Sequence, residues 1–278
     1  MNPLISIVIA NYNYGRFLEE AIRSVVTQDG FGECELIVVD GGSTDNSIEI
    51  IKKYEDKISW WISEKDKGQS DAFNKGFARA TGRFLTWLNA DDLLIPGSLR
   101  KVLTEIELKP DCEWLSGETI YVDAERKILT TGVRIFNRVG RILRVPAWAR
   151  ITAPSTFFTK ELYERCGRID EALHYVMDTD LWMRFHAAGA RLHYLGDYVW
   201  VFRLHEQSKT SASVISGARS QRFLEERARI RCRRGITRFS NFAVYFGKRI
   251  CCLLSLGYVQ RWAFLLKNRN RLISDVKW

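Results

Sequence analysis

Residues 83–92 read RFLTWLNADD, an apolar run followed directly by two neighbouring carboxylates. The run at 83–88 is typical of a buried strand, and Asp91 and Asp92 follow where that strand ends. Carboxylates in a loop at a strand end are well suited to hold a hard divalent cation that carries a substrate's phosphates. Such a pair is by itself more often a solvated surface turn, so its interpretation depends on the rest of the N-terminal half.

That half alternates strand patterns with helix patterns. We predict strands at 4–10, 35–39, 58–63 and 84–88 and helices at 14–28, 46–54 and 70–80, with Ser43 or Thr44 capping the second helix. Apolar residues at 17, 18, 21, 22, 25 and 26 form one face of the first helix. The alternation predicts an α/β fold with an open, mostly parallel sheet, which binds ligands beyond the carboxyl ends of its strands.

Polar residues follow three of the predicted strands. They are Asn11-Tyr12-Asn13 after the first, Asp40 after the second and Asp91-Asp92 after the fourth. Because parallel strands end at the same edge, we expect these side chains to converge. Neither a GxGxxG fingerprint nor a GxxxxGK[ST] loop follows the first strand, so bound phosphates would need another source of positive charge, such as a cation at the two aspartates.

Composition predicts a folded domain with an appendage. The 278 residues are 46% hydrophobic, and the six cysteines lack the spacing of a zinc site. Residues 1–215 hold 27 basic and 30 acidic residues, a net charge of −3, whereas residues 216–278 hold 15 and 3, a net charge of +12. The first ten residues do not resemble a signal peptide, so we expect a cytoplasmic catalytic part.

Five motifs occur in an order that resembles family 2 glycosyltransferases of the GT-A fold. They are SIVIANYN, ELIVVDGGSTD, SEKDKGQSDAFNKGFARATGRFLTWLNADD, PSTFFTKELYERCGRID and MDTDLWMRF, and the resemblance covers residues 4–210. It implies a catalytic domain at 1–215, with a nucleotide-sugar half at about 1–100 and an acceptor half at about 101–215. It also implies inverting, metal-dependent transfer of a sugar from a nucleotide diphosphate sugar, as in bacterial surface-polysaccharide synthesis.

The resemblance assigns donor-binding roles residue by residue. Tyr12 would stack near the nucleobase, and Asp40 would accept a hydrogen bond from it. Asn89-Ala90-Asp91 stands where the family has its DxD motif, so Asn89 would face the ribose. Asp91, helped by Asp92, would hold Mn²⁺ or Mg²⁺. Asn89 departs from the commoner aspartate and brings no charge.

Four further positions match the family's donor pocket less specifically. Asp66, Asp71 and Asn74 lie at a loop-to-helix junction that in the family closes over base and ribose. A charged loop with a capped helix is the alternative, and it explains Asp71 equally well. His205 matches a position near the diphosphate, where it could meet metal or phosphate. A lone loop histidine is more often simply exposed.

Asp178 matches the aspartate that serves the family as general base. A single-displacement reaction needs a base that takes the acceptor's proton as the new bond forms. Asp180 is an alternative base, and both residues could instead cap a helix that starts near Leu181. Met177 stands where the family often has glutamate.

Two further regions bear on the acceptor. Residues 154–160 are expected to form a strand on the acceptor side, where Ala153 departs from the family's common Gln-Pro. Residues 216–278 predict a basic, aromatic-rich helical tail; the longest uncharged run, 250–260, is too short to span a bilayer. We expect the tail to bind an anionic membrane surface as interfacial helices, with packing on the catalytic domain or on another subunit as the alternative. No nucleic-acid-binding module accompanies its charge.

The sequence therefore predicts a glycosyltransferase, peripheral on the inner face of the cell membrane, whose acceptor is a lipid-linked saccharide such as a polyprenyl-linked one. A non-catalytic nucleotide-sugar-binding or scaffold subunit is the alternative, because Asn89 and Met177 depart from the family pattern. A sugar-nucleotide pyrophosphorylase is disfavoured, because residues 11–16 are a poor substitute for the Gly-rich loop expected after its first strand.

Overall fold

The structure is a computed structural model that describes residues 2–132, 146, 151, 155–208, 220–235, 238–254 and 256–276. The expectations for Ala153 and Pro154, and the junction between catalytic domain and tail at 209–219, lie outside the described residues.

The N-terminal half alternates strands and helices as predicted. In chain order its elements are β1 (Ile5–Asn11), α1 (Gly15–Val26), β2 (Cys34–Asp40), α2 (Ser47–Lys53), β3 (Trp60–Ser63), α3 (Gln69–Arg79), β4 (Phe84–Asn89), β5 (Leu93–Leu94) and α4 (Ser98–Leu108). The predicted apolar face of α1 is confirmed, with Phe17, Leu18, Ala21, Ile22 and Val25 buried.

The C-terminal half adds the second part of the sheet and the tail. Its elements are β6 (Trp114–Val122), β7 (Ile128–Thr131), β8 (Thr156–Thr159), α5 (Lys160–Arg165), α6 (Met177–Ala187), β9 (Leu192–Arg203), α7 (Gln221–Arg233), α8 (Arg238–Leu254) and α9 (Gly257–Asn268). The strand expected at 154–160 is thus observed as the shorter β8.

All nine strands of the described chain form one mixed sheet in the order β3-β2-β1-β4-β8-β6-β9-β5, with β7 beside β6. The pairs among β3, β2, β1 and β4 are parallel, as is β6 with β9, and the remaining four pairs are antiparallel. The mostly parallel arrangement therefore holds for the N-terminal half, and antiparallel β8 joins it to the rest.

Alternating strand residues give the sheet two buried faces. In β1, Val8 packs with α3 and α6, whereas Ile7 and Ile9 pack with α1, α2 and α4. This alternation is the expected consequence of the two-residue period of a strand. Helices therefore cover both faces, and the carboxyl-terminal edge of the parallel strands stays open for ligands.

Strand register brings the polar strand ends together. Asn11 lies opposite Asp40 in the β1–β2 pair, and Ala10 lies opposite Asn89 in the β1–β4 pair. Asp40 in turn lies opposite Ser63 of β3. The predicted convergence of these residues on one edge of the sheet is confirmed.

The predicted cap of α2 and the predicted start of α6 are wrong. Neither Ser43 nor Thr44 caps α2, which begins at Ser47, because the Ser43 hydroxyl instead donates to the Asp40 carboxylate at 2.5 Å. The helix expected near Leu181 begins at Met177, so Asp178 and Asp180 lie in its first turn and are not its cap. In both cases the polar side chain has a tertiary role that local sequence rules do not reveal.

The tail packs one side against the catalytic domain and exposes another. In α9, Phe264 and Leu265 pack with β6, β7 and β9, and Arg261 donates to Thr130 at 2.5 Å. No single helix of the described residues is long and apolar enough to cross a bilayer; the segments Phe246–Leu254 and Gly257–Asn268, bent by 68°, meet that test only together.

Helix α3 lies very close to the sheet at Gly76. A Cβ atom there would lie 2.3 Å from Cγ1 of Val8 in β1. Gly76→Ala, which in an open helix would stabilise by about 1 kcal/mol, should therefore destabilise by about 1–3 kcal/mol. Gly32→Ala is the control, because no atom lies within 4 Å of its added Cβ. Equilibrium denaturation measures both, and a more stable Gly76→Ala variant would contradict the close packing.

Candidate functional site

A cavity of about 330 Å³ opens at the carboxyl-terminal edge of the parallel strands. Its wall includes the predicted residues Tyr12, Asp66, Asn89, Asp91 and Asp178. These residues come from the ends of β1 and β4, the loop before α3 and the first turn of α6. The fold thus brings together positions that span 166 residues of sequence.

Asp40 organises the strand ends from beneath the cavity. The carboxylate is fully buried and accepts hydrogen bonds from Asn11 Nδ2 at 2.7 Å, from Ser63 Oγ at 2.6 Å and from the backbone N–H groups of Gly42 and Ser43. Both oxygens are engaged, and Asp40 is not part of the cavity wall. The expected hydrogen bond to a nucleobase would require one of these donors to move.

Asn11 reaches the cavity where Asp40 does not. Its side-chain nitrogen donates to Asp40 and Ser43, which orients the amide. Its Oδ1 atom is buried without a hydrogen-bond partner and belongs to a residue of the cavity wall. An acceptor left open at a cavity wall is well placed to meet a donor group of a ligand.

The Asn89 amide is engaged at both ends. Its Oδ1 accepts from Gln69 Nε2 at 2.7 Å, and its Nδ2 donates to Asp92 Oδ2 at 2.7 Å. Asp92 also accepts from Trp200 Nε1 and from the backbone N–H of Arg203. Burial, together with the nearby charge of Asp91, raises the pKa of Asp92 well above its ordinary value.

The structure therefore separates the predicted aspartate pair. Asp91 lines the cavity, whereas Asp92 is almost fully buried and hydrogen-bonded to protein donors. The expectation that Asp92 helps to hold a cation finds no support in this placement. Asp92 instead ties the loop after β4 to β9.

His205 lies beside Asp91, although 114 residues separate them in the sequence. The imidazole Nε2 is 3.0 Å from Asp91 Oδ2, and Nδ1 is 3.3 Å from the guanidinium of Arg16. Because arginine only donates, Nδ1 accepts and the neutral ring carries its proton on Nε2. In this geometry His205 orients the Asp91 carboxylate and is not an open metal ligand.

The available ligands fit a divalent cation that arrives with its substrate. Asp91 offers carboxylate oxygens at the cavity, and no group of three or more His, Cys, Asp or Glu side chains among the described residues is arranged to hold a metal ion. Magnesium-type sites commonly use one or two carboxylates together with substrate phosphates. The residues present thus suit a cation shared with a diphosphate better than one held by protein alone.

Tyr12 and Asp66 occupy the outer part of the cavity. The Tyr12 side chain is 60% exposed, which leaves its ring free to stack on a planar ligand. Asp66 accepts from the backbone N–H of Gly68 at 2.8 Å. A Cβ atom on Gly41 would lie 2.7 Å from Asp66 Oδ2, so glycine at 41 permits the close approach of Asp66 to the end of β2.

Asp71 and Asn74 lie outside the cavity wall. Asp71 accepts from the backbone N–H of Lys67 at 3.0 Å and lies 3.3 Å from the Lys75 ammonium, which supports the start of α3. Asn74 donates to the Ile169 carbonyl and accepts from the Tyr163 hydroxyl. The contacts of Asp71 are thus local to the loop and the first turn of α3, whose N-cap residue, Gly68, makes no side-chain cap hydrogen bond.

Asp178 and Asp180 have different surroundings on α6. Asp180 is bound by Arg184 at 2.8 Å and by Arg234 at 3.4 Å, and it does not line the cavity. Asp178 lines the cavity and accepts hydrogen bonds from Thr179 of the same turn. Burial raises the pKa of Asp178, although the Thr179 N–H acts in the opposite direction.

Several wall residues were not predicted as site residues. They are Asn11, Tyr14, Gln69, His174, Tyr175, Phe202 and Ser208. Asn11 directly follows the first predicted strand, and His174 and Tyr175 closely precede Asp178, so proximity to recognised motifs could have suggested them. Burial, and then the charge of Asp91, raise the pKa of Tyr14 to about 12.

Comparison with known proteins agrees with this geometry. Residues 6–166 match the model of glycosyl transferase family 2. The chain belongs to that family. An uncharacterised glycosyltransferase of Nostoc sp. is 32% identical over 176 residues, which cover 60% of this chain and 54% of the relative. This chain thus spans about half the length of the Nostoc relative.

Two solved structures share the fold of this chain at low sequence identity. Residues 1–349 of S. aureus TarS in complex with UDP-GlcNAc align with a TM-score of 0.61 at 20% identity, over 79% of this chain and 62% of that TarS fragment. The mannosyltransferase PcManGT of Pyrobaculum calidifontis, solved with GDP-Man and Mn²⁺, aligns with a TM-score of 0.57 at 17% identity, over 96% and 79%. The GT-A fold predicted from the sequence is confirmed.

The raised pKa of Asp178 has a consequence for stability. The folded state favours the neutral carboxyl, so Asp178 contributes most to stability at low pH, and that contribution is lost as pH rises through its folded pKa. Asp178→Asn should therefore raise Tm at pH 7, and the gain should shrink as pH falls towards about 4, the ordinary aspartate pKa.

Asp180→Asn is the matched control in the same helix turn. It breaks contacts with Arg184 and Arg234 and should lower Tm at pH 7. Thermal unfolding followed by circular dichroism between pH 4 and pH 8 measures both variants. A destabilised Asp178→Asn variant at pH 7 would show that the Asp178 carboxylate is a structural group.

Proposed function

We propose that this protein is an inverting glycosyltransferase that moves a sugar from a nucleotide diphosphate sugar to an acceptor hydroxyl. The observation that carries the proposal is that Asp91 and Asp178 line one cavity from two different elements. Asp91 follows β4, where the donor's diphosphate would lie. Asp178 is in the first turn of α6, on the side from which an acceptor would approach.

Asp178 would act as general base. Its deprotonated carboxylate would take the proton of the acceptor hydroxyl while the hydroxyl oxygen bonds to the anomeric carbon of the sugar. The bond from that carbon to the diphosphate oxygen breaks, and the diphosphate leaves with the electron pair. A carboxyl whose pKa is raised by burial is a stronger base than an exposed aspartate and suits this role.

The donor would bind along the strand ends. Tyr12 would offer an exposed ring to the base, and Asn11, a residue of the cavity wall, has a buried amide oxygen without a hydrogen-bond partner that a small side-chain shift could offer to the donor. Asp91, oriented by His205, would hold Mn²⁺ or Mg²⁺, and such a cation supplies positive charge to the departing diphosphate. The structure of PcManGT, which was solved with both a nucleotide sugar and Mn²⁺, supports this proposal.

The test separates donor binding from turnover. UDP-, GDP- and dTDP-sugars are titrated into wild type, Asp91→Ala and Asp178→Asn with and without Mn²⁺, and hydrolysis of each is followed. Asp91→Ala should weaken metal-dependent donor binding at least about tenfold. Asp178→Asn should bind the donor normally and lose about 10²–10⁴-fold in turnover.

Two results would refute the proposal. Donor binding that depends on neither Mn²⁺ nor Asp91 would favour a non-catalytic nucleotide-sugar-binding or scaffold subunit. Full turnover in Asp178→Asn would remove the assigned base. Asp71→Asn serves as control, because this carboxylate lies outside the cavity wall and should leave donor affinity within about twofold.

We propose further that the tail binds the cytoplasmic face of an anionic membrane. The exposed side chains of its last two helices and of the connection between them include Leu253, Leu254, Leu256, Val259, Trp262 and Leu266, each more than half exposed. Residues 227–274 contain lysine and arginine but no Asp or Glu, so no acidic side chain of this segment neutralises the cations that flank the apolar surface. Apolar residues flanked by cations are typical of helices that lie in the lipid interface.

A membrane surface would place a lipid-linked saccharide, including a polyprenyl-linked one, within reach of the cavity. The cytoplasmic side agrees with six free cysteines, which persist in a reducing compartment. No nucleic acid is part of this proposal.

The double variant Leu254→Glu with Trp262→Glu tests the membrane proposal. Two charges on the apolar surface should lower affinity for phosphatidylglycerol vesicles at least about tenfold in co-sedimentation. Leu108→Glu is the matched control, because Leu108 is 69% exposed but lies on α4 of the catalytic domain. Equal binding by wild type and the double variant would leave the tail as a packing element only.

A further inference from the structure

Two neighbouring glutamates on α7 have very different surroundings. Glu225 is exposed and accepts a hydrogen bond from Gln221 of its own helix at 2.8 Å. Glu226 is 2% exposed and faces the catalytic domain. In a segment whose net charge is +12, a buried carboxylate requires specific partners.

Those partners are backbone groups of the loop before α6. The N–H of His174 donates to both Glu226 oxygens at 3.0 Å, and the N–H of Tyr175 donates at 2.8 Å. The side chain of Arg222 is a further partner, with its Nε atom 3.0 Å from Oε1 of Glu226. Burial alone would raise the pKa of Glu226, but these donors hold it below its ordinary value, so the carboxylate is charged.

We name residues 170–178 the acceptor loop, and α7 contacts it at three further points. Arg233 pairs with Asp170 at 2.8 Å at the start of the loop, and the Phe223 ring lies 6.2 Å from the Tyr175 ring, edge to face. Ile230, buried on the same helix, belongs to the core cluster that includes Leu173 and Val176 of the loop. The tail helix thus supports the loop along its length.

The acceptor loop forms one wall of the site. His174 and Tyr175 line the cavity, and Asp178 follows three residues later. Asp178 accepts hydrogen bonds from Thr179 within its own turn, so its position depends on the path of the backbone that leads to it. The donor side of the cavity, at the ends of β1 and β4, is held by separate contacts around Asp40 and Asn89.

We propose that Glu226 is a positioning residue that holds the acceptor loop, and with it Asp178, from the tail helix. The tail then completes the catalytic wall of the cavity in addition to any membrane contact. Loss of the Glu226 contacts displaces the base and the acceptor wall and leaves the donor wall in place. The inference rests on the proposed function, since it assigns Asp178 the role of base.

The test compares Glu226→Ala, Glu226→Gln and the control Glu225→Gln in the full chain. The probe is the nucleotide sugar that wild type hydrolyses fastest among UDP-, GDP- and dTDP-sugars. Glu226→Ala should lower turnover by about 10–100-fold, because small displacements of a reacting group cost that much. Donor Kd should change by less than about twofold, and hydrogen exchange should accelerate in the peptide covering 170–178.

Glu226→Gln keeps one acceptor oxygen and should fall between wild type and Glu226→Ala in both turnover and exchange. It also keeps the test open if the alanine variant does not fold. Glu225→Gln should match wild type. A purely structural role would lower donor affinity and turnover together, which would overturn the inference.

Wild-type turnover and exchange in both Glu226 variants would equally overturn it. Failure of the proposed function has a different signature, namely wild-type protein that binds no nucleotide sugar or an Asp178→Asn variant with full turnover. The two ideas can therefore fail separately.

Discussion

The indole rings of Trp87 and Trp182 stack with an interplanar angle of 1° and centroids 5.3 Å apart, and both sides of the site depend on this contact. Trp87 lies on β4, two residues before Asn89, and Trp182 lies one turn after Asp178 on α6. Phe158 packs against both rings. Because this aromatic core is rigid and fully buried, it sets how far the donor edge lies from the candidate base.

A polar network complements that apolar contact. Asp40 accepts hydrogen bonds from β1, from β3 and from the loop that follows β2, and these bonds fix the strand ends relative to one another. A buried carboxylate with several donors is costly to disturb, since each donor would lose its partner. The site therefore rests on a rigid floor, while its acceptor wall is a loop whose position the tail helix determines through Glu226.

The elements β5, β6, β7, β9 and α4 were not predicted from the sequence. Local patterns in the sequence did predict β1 to β4 and β8, the helices α1 to α3 and the convergence of Asn11, Asp40 and Asp91. These features follow from periodicity and from the geometry of parallel strands. The orientation of Asp92 into the interior could not be predicted, because it depends on Trp200 and Arg203 of β9, more than a hundred residues away. The role of Glu226 could not be predicted for the same reason. Its partners in the distant loop are backbone N–H groups, which the pattern of side chains along the sequence does not reveal.

Membership in glycosyl transferase family 2 and the GT-A fold are established by the family match and the solved relatives, and single displacement at Asp178 is the central claim beyond them. The most direct measurement is the anomeric configuration of the first sugar released when wild type hydrolyses its donor, read by proton NMR before mutarotation. Attack by a water activated at Asp178 on an α-linked donor predicts the β-anomer as the first product. Release of the α-anomer first would contradict a base on the face opposite the departing diphosphate.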